Sequence, residues 1–595
     1  MRNIASRMLT ICVAIALLTG VIAAVQGVPK DSPLTTSASE WNALAEDYFD
    51  RGYYKFRPSE GTSDGFHKYD ARLEGFSRTA IASQIEALHH FESRFITVDP
   101  KTLSSIGAVD RELILSNIRS RLFTMETIRP WENNPDYYSS GITFAAYVIM
   151  ERRFAPTNQR IGSLVAREKQ MPEALAAAHE NLKNPPRIYT EVALEQLPGL
   201  IALFEKNLPA AFADATDPAV KAEFAKSNQA VVTALKNYET WLKSDVLPRS
   251  HGDFRIGADT YSKKLLLDEM VDTPLDRLLE IGTADLRKNQ AEFARVAQQL
   301  DSSKTPQQVL QELMHDHPNP AQLLQSFRDT FSSLISFIRQ KHIVTVPSNV
   351  RPIVEETPPF ERATIVAAMD WPGPLETASK DAFFNVTLPG PHDSAREIEE
   401  RMGGFNRGTI VSTSVHEAYP GHYMQSLWFP QMPSEARKIF WTSSTVEGWA
   451  HYCEQMMLDE GYGQPGYGAS NAREAELIRL GQIQDALLRD ARFVVGIQMH
   501  TGKMTFDQAV DFFVKEGYQT HEIGLVETKR GTSDPTYLYY TLGKLEILKL
   551  RSDMRRRQGA SFSLQKFHDD FLRQGFAPIK IIRQAMLGDN SPALQ

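Results

Sequence analysis

The chain has 595 residues, 42% apolar and 23% charged, which is ordinary globular material with length for roughly two to four domain-sized units or one large fold. Its formal net charge of −8 comes with no long basic run, which excludes the electrostatic footprint of a nucleic-acid binder. With Cys12 and Cys453 its only cysteines, a disulfide framework is excluded as well.

Residues 1–7 carry Arg2 and Arg7 without acids, and a mostly apolar run follows from Met8 to Val25. That is the layout of a secretory signal peptide, with small residues at Ala23, Ala24 and Gly27 and a mature start near residue 28. An uncleaved anchor is the alternative, since the run approaches the length that spans a bilayer. Lipidation of Cys12 is disfavoured by the preceding Thr10-Ile11. The expected location is secreted or periplasmic, with no stable membrane insertion once the signal is removed.

From residue 40 to about 340 helical periodicity dominates, as in 78–95, 110–125, 197–208 and 219–243. Asn133-Asn134-Pro135 and Asn184-Pro185-Pro186 punctuate it as turns. Between residues 343 and 391 prolines become frequent, and the runs 343–346 and 382–388 favour strands, so a small sheet is predicted. Helical patterns resume over 411–428, 442–460, 470–499, 505–516 and 537–558. The prediction is a mainly α protein, a large helical scaffold with a small β-sheet beside a zincin-like helix. Its predicted division is a signal peptide (1–27), a helical scaffold (28–340) and a catalytic region (341–595). Cys453, in an apolar helical stretch, reads as a buried small hydrophobe.

The chemistry concentrates in VHEAYPGHYMQ, where His416 and Glu417 are followed by His422. A hydrolytic zinc site needs three protein ligands, an open position for water, and a carboxylate to take the proton. Histidines four apart share a helical face, but here the spacing is six, a rotation of about 600° on a regular helix. Pro420 has no N–H to return to the His416 carbonyl and Gly421 tolerates unusual dihedrals, so a break that swings His422 back is predicted. A helix end with satisfied histidines is the competing reading.

Downstream, TVEGWAHYCE places Glu447 on a separate helix as the third ligand, the alternative being a carboxylate favoured by a helix N-terminus. Glu454, two turns on, is positioned to orient a histidine, and His451 to reach the pocket.

HEAYPGH with Gln425, followed by EGWAxYxE, resembles the domain-of-unknown-function 885 family, grouped with gluzincin-type metallopeptidases. The likeness extends to Asp64 through Leu73, similar to that family's G-x-x-x-Y-D-x-x-L opening, with Ser77 after it, to Asn134-Pro135-Asp136-Tyr137-Tyr138, and to Tyr540-Thr541-Leu542-Gly543-Lys544-Leu545, ending in Arg551, near the C-terminus. The resemblance implies Zn²⁺ held by His416, His422 and Glu447, with Glu417 as general base. Two departures stand out: Pro535-Thr536-Tyr537 replaces the usual P-G-Q, and His451 replaces an apolar residue.

The functional expectation is hydrolysis of peptides. Tyr540 is the first candidate to stabilise the oxyanion, followed by Tyr539 and Arg530. The run 382–388, with Asn385 at its centre, is expected to offer its backbone to an extended peptide or to be a plain buried strand. Asn385-Val386-Thr387 is also a glycosylation sequon. The rival readings are a non-catalytic metal- or partner-binding helical protein and a metal-dependent hydrolase of non-peptide amides or esters. No G-x-S-x-G elbow supports a serine hydrolase.

Overall fold

A computed structural model describes residues 38–594 apart from 359–361, 363–364, 391–392 and 590. The predicted signal segment, Cys12 included, lies outside the described residues. The chain is mainly α-helical with a small sheet, as its periodicity predicts. Helix starts follow local side-chain chemistry: Ser77 accepts from Ala80 N, Ser104 from Gly107 N, and Asp217 from Ala219 and Val220 N. The Ser104 cap explains why the helix predicted to begin at 110 begins earlier, as Ser105–Phe123. One apolar core runs from Trp41 to Leu587, taking side chains from both ends of the chain. A second, from Leu73 to Val246, is enclosed by the helices Asp136–Glu151, Thr157–Glu168, Arg187–Ala202 and Pro218–Trp241. No described helix is long and apolar enough to cross a membrane.

The sheet decides between the two readings of 382–388 in favour of a buried strand and corrects the strand predicted at 343–346. Its strands are β1 (Ile353–Glu356), β2 (Ala367–Asp370) and β3 (Phe383–Val386), in the order β1-β3-β2. β3 pairs parallel with β1 and antiparallel with β2, so both of its edges are consumed and its backbone is closed to a peptide. Asn385, 3% exposed at its centre, is closed to a glycan for the same reason. Residues 343–346, predicted as a strand, form none. Ile343 and Val344 are buried, and their stretch is satisfied by side chains instead: His568 Nδ1 donates to Ile343 O at 2.7 Å and Thr345 N donates to Asp569 Oδ1 at 2.8 Å.

Two glycine contacts set the helix crossings around the predicted site. A Cβ on Gly448 would stand 2.5 Å from Gly543 Cα, so helices Ser443–Asp459 and Tyr539–Gln558 cross backbone to backbone. A Cβ on Gly408 would stand 2.4 Å from Leu477 O, which brings Arg407–Glu417 equally close to Ala472–His500.

Candidate metal centre

Helix Arg407–Glu417 starts on Asn406, whose side chain accepts from Gly408 and Thr409 N, and it ends immediately after His416. Its last turn unwinds: Tyr419 N donates to Ser414 O at 3.1 Å and Gly421 N to Val415 O at 2.9 Å, wider loops than helical ones. The Tyr419–Pro420 peptide is cis. A Cβ at Gly421 would fall 1.7 Å from His416 O, so only glycine lets the chain double back here. A new helix, His422–Leu427, then begins on the second histidine. The two imidazoles meet with centroids 4.7 Å apart at 86°. This is the break predicted between them from Pro420-Gly421.

Glu447 arrives from the first turns of Ser443–Asp459. One ligand atom from each of His416, His422 and Glu447 lies within 4.8 Å of the others. Glu447 Oε2 is 3.3 Å from His416 Nε2 and 3.4 Å from His422 Nε2. Those are ion-pair distances, yet the buried Oε2 has no aligned hydrogen bond among the described residues. The three atoms therefore face a common point rather than one another.

The other ring nitrogens are committed behind this cluster. His416 Nδ1 donates to Glu454 Oε1 at 2.6 Å, and His422 Nδ1 to Gln425 Oε1 at 3.3 Å, with Gln425 Nε2 in turn on Thr445 O at 3.4 Å. Both rings are thus oriented with Nε2 forward. His451 is fully buried beneath the centre, with Nδ1 on Glu454 Oε2 at 3.1 Å, and it is not among the converging groups. It buttresses Glu454 rather than lining a pocket. Trp449 Nε1 donates to Pro420 O at 2.8 Å, tying the second motif directly to the break in the first.

Electrostatically the site favours positive charge. Burial alone would pull the His416 imidazole down, but the Glu447 and Glu454 carboxylates at its two nitrogens hold its pKa up at about 10. Against the cost of burial, His422 and His416 hold Glu447 well below the usual carboxylate range. Arg489 and His451, with His416, do the same for Glu454. Glu417, also buried, is raised by burial and by the Glu447 charge against the pull of His416 and His422.

Tyr540 lies with its ring 6.3 Å from that of His416, and its hydroxyl accepts from Arg530 Nη2 at 3.4 Å. The Tyr539 hydroxyl accepts from the same Arg530 Nη2 at 2.9 Å and donates to Asp534 Oδ2 at 2.9 Å. Asn385 keeps a buried Oδ1 without a hydrogen bond among the described residues, in register with Ala368 of β2.

Two contributors carry no motif. Arg489 reaches Glu454 Oε1 at 3.6 Å and Asp485 Oδ1 at 3.2 Å. The dense charges of Asp485, Arg489, Asp490 and Arg492, close to the apolar run 493–497 of the same helix, are the signal that could have revealed it. Trp371, just past β2, sits 5.9 Å from the His422 ring. Its loop is clamped by the N-terminal Asp64–Leu73 segment: Leu375 N donates to Asp64 O at 2.8 Å, and His67 stands 3.1 Å from both Asp70 and Glu376.

The fold and site define a mainly α protein with two histidines and a glutamate converging at a helix break. Residues 58–586 match the family described as bacterial protein of unknown function (DUF885), and the chain belongs to that family. A solved structure from Shewanella oneidensis, described as a candidate lipoprotein of unknown function, shares 26% identity at a TM-score of 0.76, covering 93% of this chain and 100% of that one. Another candidate lipoprotein, from Colwellia psychrerythraea, shares the fold at 17% identity and a TM-score of 0.76, covering 92% and 98%. No curated protein matches the chain.

Proposed function

We propose that the chain is an exported zinc-dependent peptidase of gluzincin type, with His416, His422 and Glu447 as ligands and Glu417 as general base. The convergence of the three ligand atoms carries this reading. Ligands held tetrahedrally about 2.1 Å from one zinc ion stand about 3.4 Å apart, and the Glu447 Oε2 to histidine Nε2 distances of 3.3 and 3.4 Å fit that spacing. The unpartnered Oε2 and the two Nδ1 atoms already engaged on Glu454 and Gln425 complete a suitable donor set. A zinc ion in such a site supplies Lewis acidity, polarising a carbonyl and acidifying a water.

Glu417 accepts the proton of the attacking water on its carboxylate and returns it to the leaving amine. The Tyr540 hydroxyl, kept neutral by burial and by the Glu447 charge, donates to the oxyanion. Trp371 screens one side of His422 from water. An extended peptide has an edge to pair with at β2, half-buried and hydrogen-bonded to β3 on one side only among the described residues. Export is supported by the N-terminal sequence and by the description of both structural relatives as candidate lipoproteins.

The test is zinc content together with hydrolysis of a defined peptide library, with and without chelator. Wild-type protein should carry zinc and lose turnover to the chelator. Glu417→Gln should keep zinc and lose turnover, and unchanged turnover would sink the assignment. Simple esters in parallel separate a peptidase from a hydrolase of other bonds.

A further inference from the structure

Three guanidinium groups surround the Tyr540 ring, with Cζ at 4.7 Å for Arg492, 5.8 Å for Arg530 and 6.0 Å for Arg489. Two are spent on structure. Arg492 makes a bidentate pair with Glu527 through Nε at 2.6 Å and Nη2 at 2.7 Å. Arg489 is divided between Asp485 and Glu454. Their side chains are 9% and 13% exposed, whereas that of Arg530 is 36% exposed.

Arg530 is engaged through Nε and Nη2 only. Nη2 donates to Tyr539 OH at 2.9 Å and Tyr540 OH at 3.4 Å. Its contacts with Asp534 Oδ2 are long, 3.2 and 3.3 Å, on an oxygen that also accepts from Tyr539 OH. Nη1 has no hydrogen-bond partner among the described residues. A guanidinium with a free edge beside a catalytic phenol is suited to a planar anion.

Position selects the anion. If Tyr540 OH addresses the scissile carbonyl, Arg530, 3.4 Å beyond it, addresses a group about one residue further along, since successive Cα atoms are about 3.8 Å apart. A cavity of about 260 Å³ shares the Asp534 and Tyr539 walls, with Thr536 and the 63% exposed Trp441 on its lining.

We propose that Arg530 clamps the C-terminal carboxylate of the substrate, so that the enzyme removes single residues from peptide C-termini. The proposal rests on the zinc-peptidase reading. In the step, the C–N bond next to the last residue breaks and a C–O bond forms from water. The products are a shortened peptide with a new carboxylate and a free amino acid, whose amine takes the proton from Glu417.

The experiment compares one peptide as its C-terminal acid and as its C-terminal amide, using zinc-loaded protein and mass-spectrometric product analysis. Wild type should release one residue from the acid with kcat/KM roughly 10–100-fold above the amide, the range expected for losing a charge-assisted bidentate contact. In Arg530→Gln that ratio should collapse toward one, with partial restoration in Arg530→Lys. A merely structural role at Tyr540 would slow both substrates and leave the ratio intact. An intact ratio in the variant, equal rates in wild type, or cleavage at internal bonds overturns the clamp while leaving the peptidase standing. No hydrolysis of either peptide removes both readings.

Discussion

Two buried clusters of ionisable groups lie near each other against Ser443–Asp459, and they solve burial in opposite ways. In the first, Lys544 Nζ pairs with Asp285 Oδ2 at 2.6 Å, while Asp490 accepts from Thr541 Oγ1 at 2.8 Å and Asn289 Nδ2 at 2.6 Å. Lys544 is answered by Asp285, and the buried Asp490 by Thr541 and Asn289, all within the chain, as a structural network must. In the second, His416 Nε2, His422 Nε2 and Glu447 Oε2 face one point, and Glu447 Oε2 has no hydrogen-bond partner among the described residues. Glu454 lies between them, accepting from His416 on one side and on the other from His451, on which the Lys544 charge acts. Burial therefore marks neither cluster as functional. What separates them is whether the polar atoms satisfy one another or converge on a common point.

The sharpest way to separate them is Glu417→Gln, which should lower kcat by roughly a thousandfold or more with zinc content unchanged, read by peptide turnover and metal analysis. On the structural side, Lys544→Met should cost roughly 3–5 kcal/mol in urea unfolding, because Asp285 is left buried without its counter-charge. Zinc-loaded Lys544→Met protein that still folds should keep its metal stoichiometry. The joining residue comes next: Glu454→Gln should weaken zinc binding roughly 10–100-fold in chelator competition, and unchanged affinity would break the link between the clusters. The smallest effect is expected from Asn406→Ala, about 1 kcal/mol of stability, since it removes only the cap of the helix that delivers His416.

Much of the helical architecture was legible because caps and 3.6-residue periodicity are local. The break at Pro420-Gly421 was legible for the same reason: a missing N–H and a missing Cβ are properties of single residues. The sheet was not. β2 reads Ala-Ala-Met-Asp, with no alternation to announce it, and exists because β3 pairs with it and Arg152 grips Asp370 through both oxygens. Residues 343–346 look more like a strand, but find side-chain partners from 568–569 instead. Arg489 and Trp371 escaped notice because each becomes part of the site only through packing.

The sequence alone determined a mainly α chain, its family likeness, and a pair of histidines that a regular helix could not bring together, since those follow from residue chemistry over a few turns. Tertiary structure decided that Glu447 meets them, that Glu454 stands behind His416, and that β3 is enclosed rather than open to a peptide. These depend on where separate elements cross, at Gly448 against Gly543 and Gly408 against Gly481, and crossing geometry is set by long-range packing that no local pattern encodes.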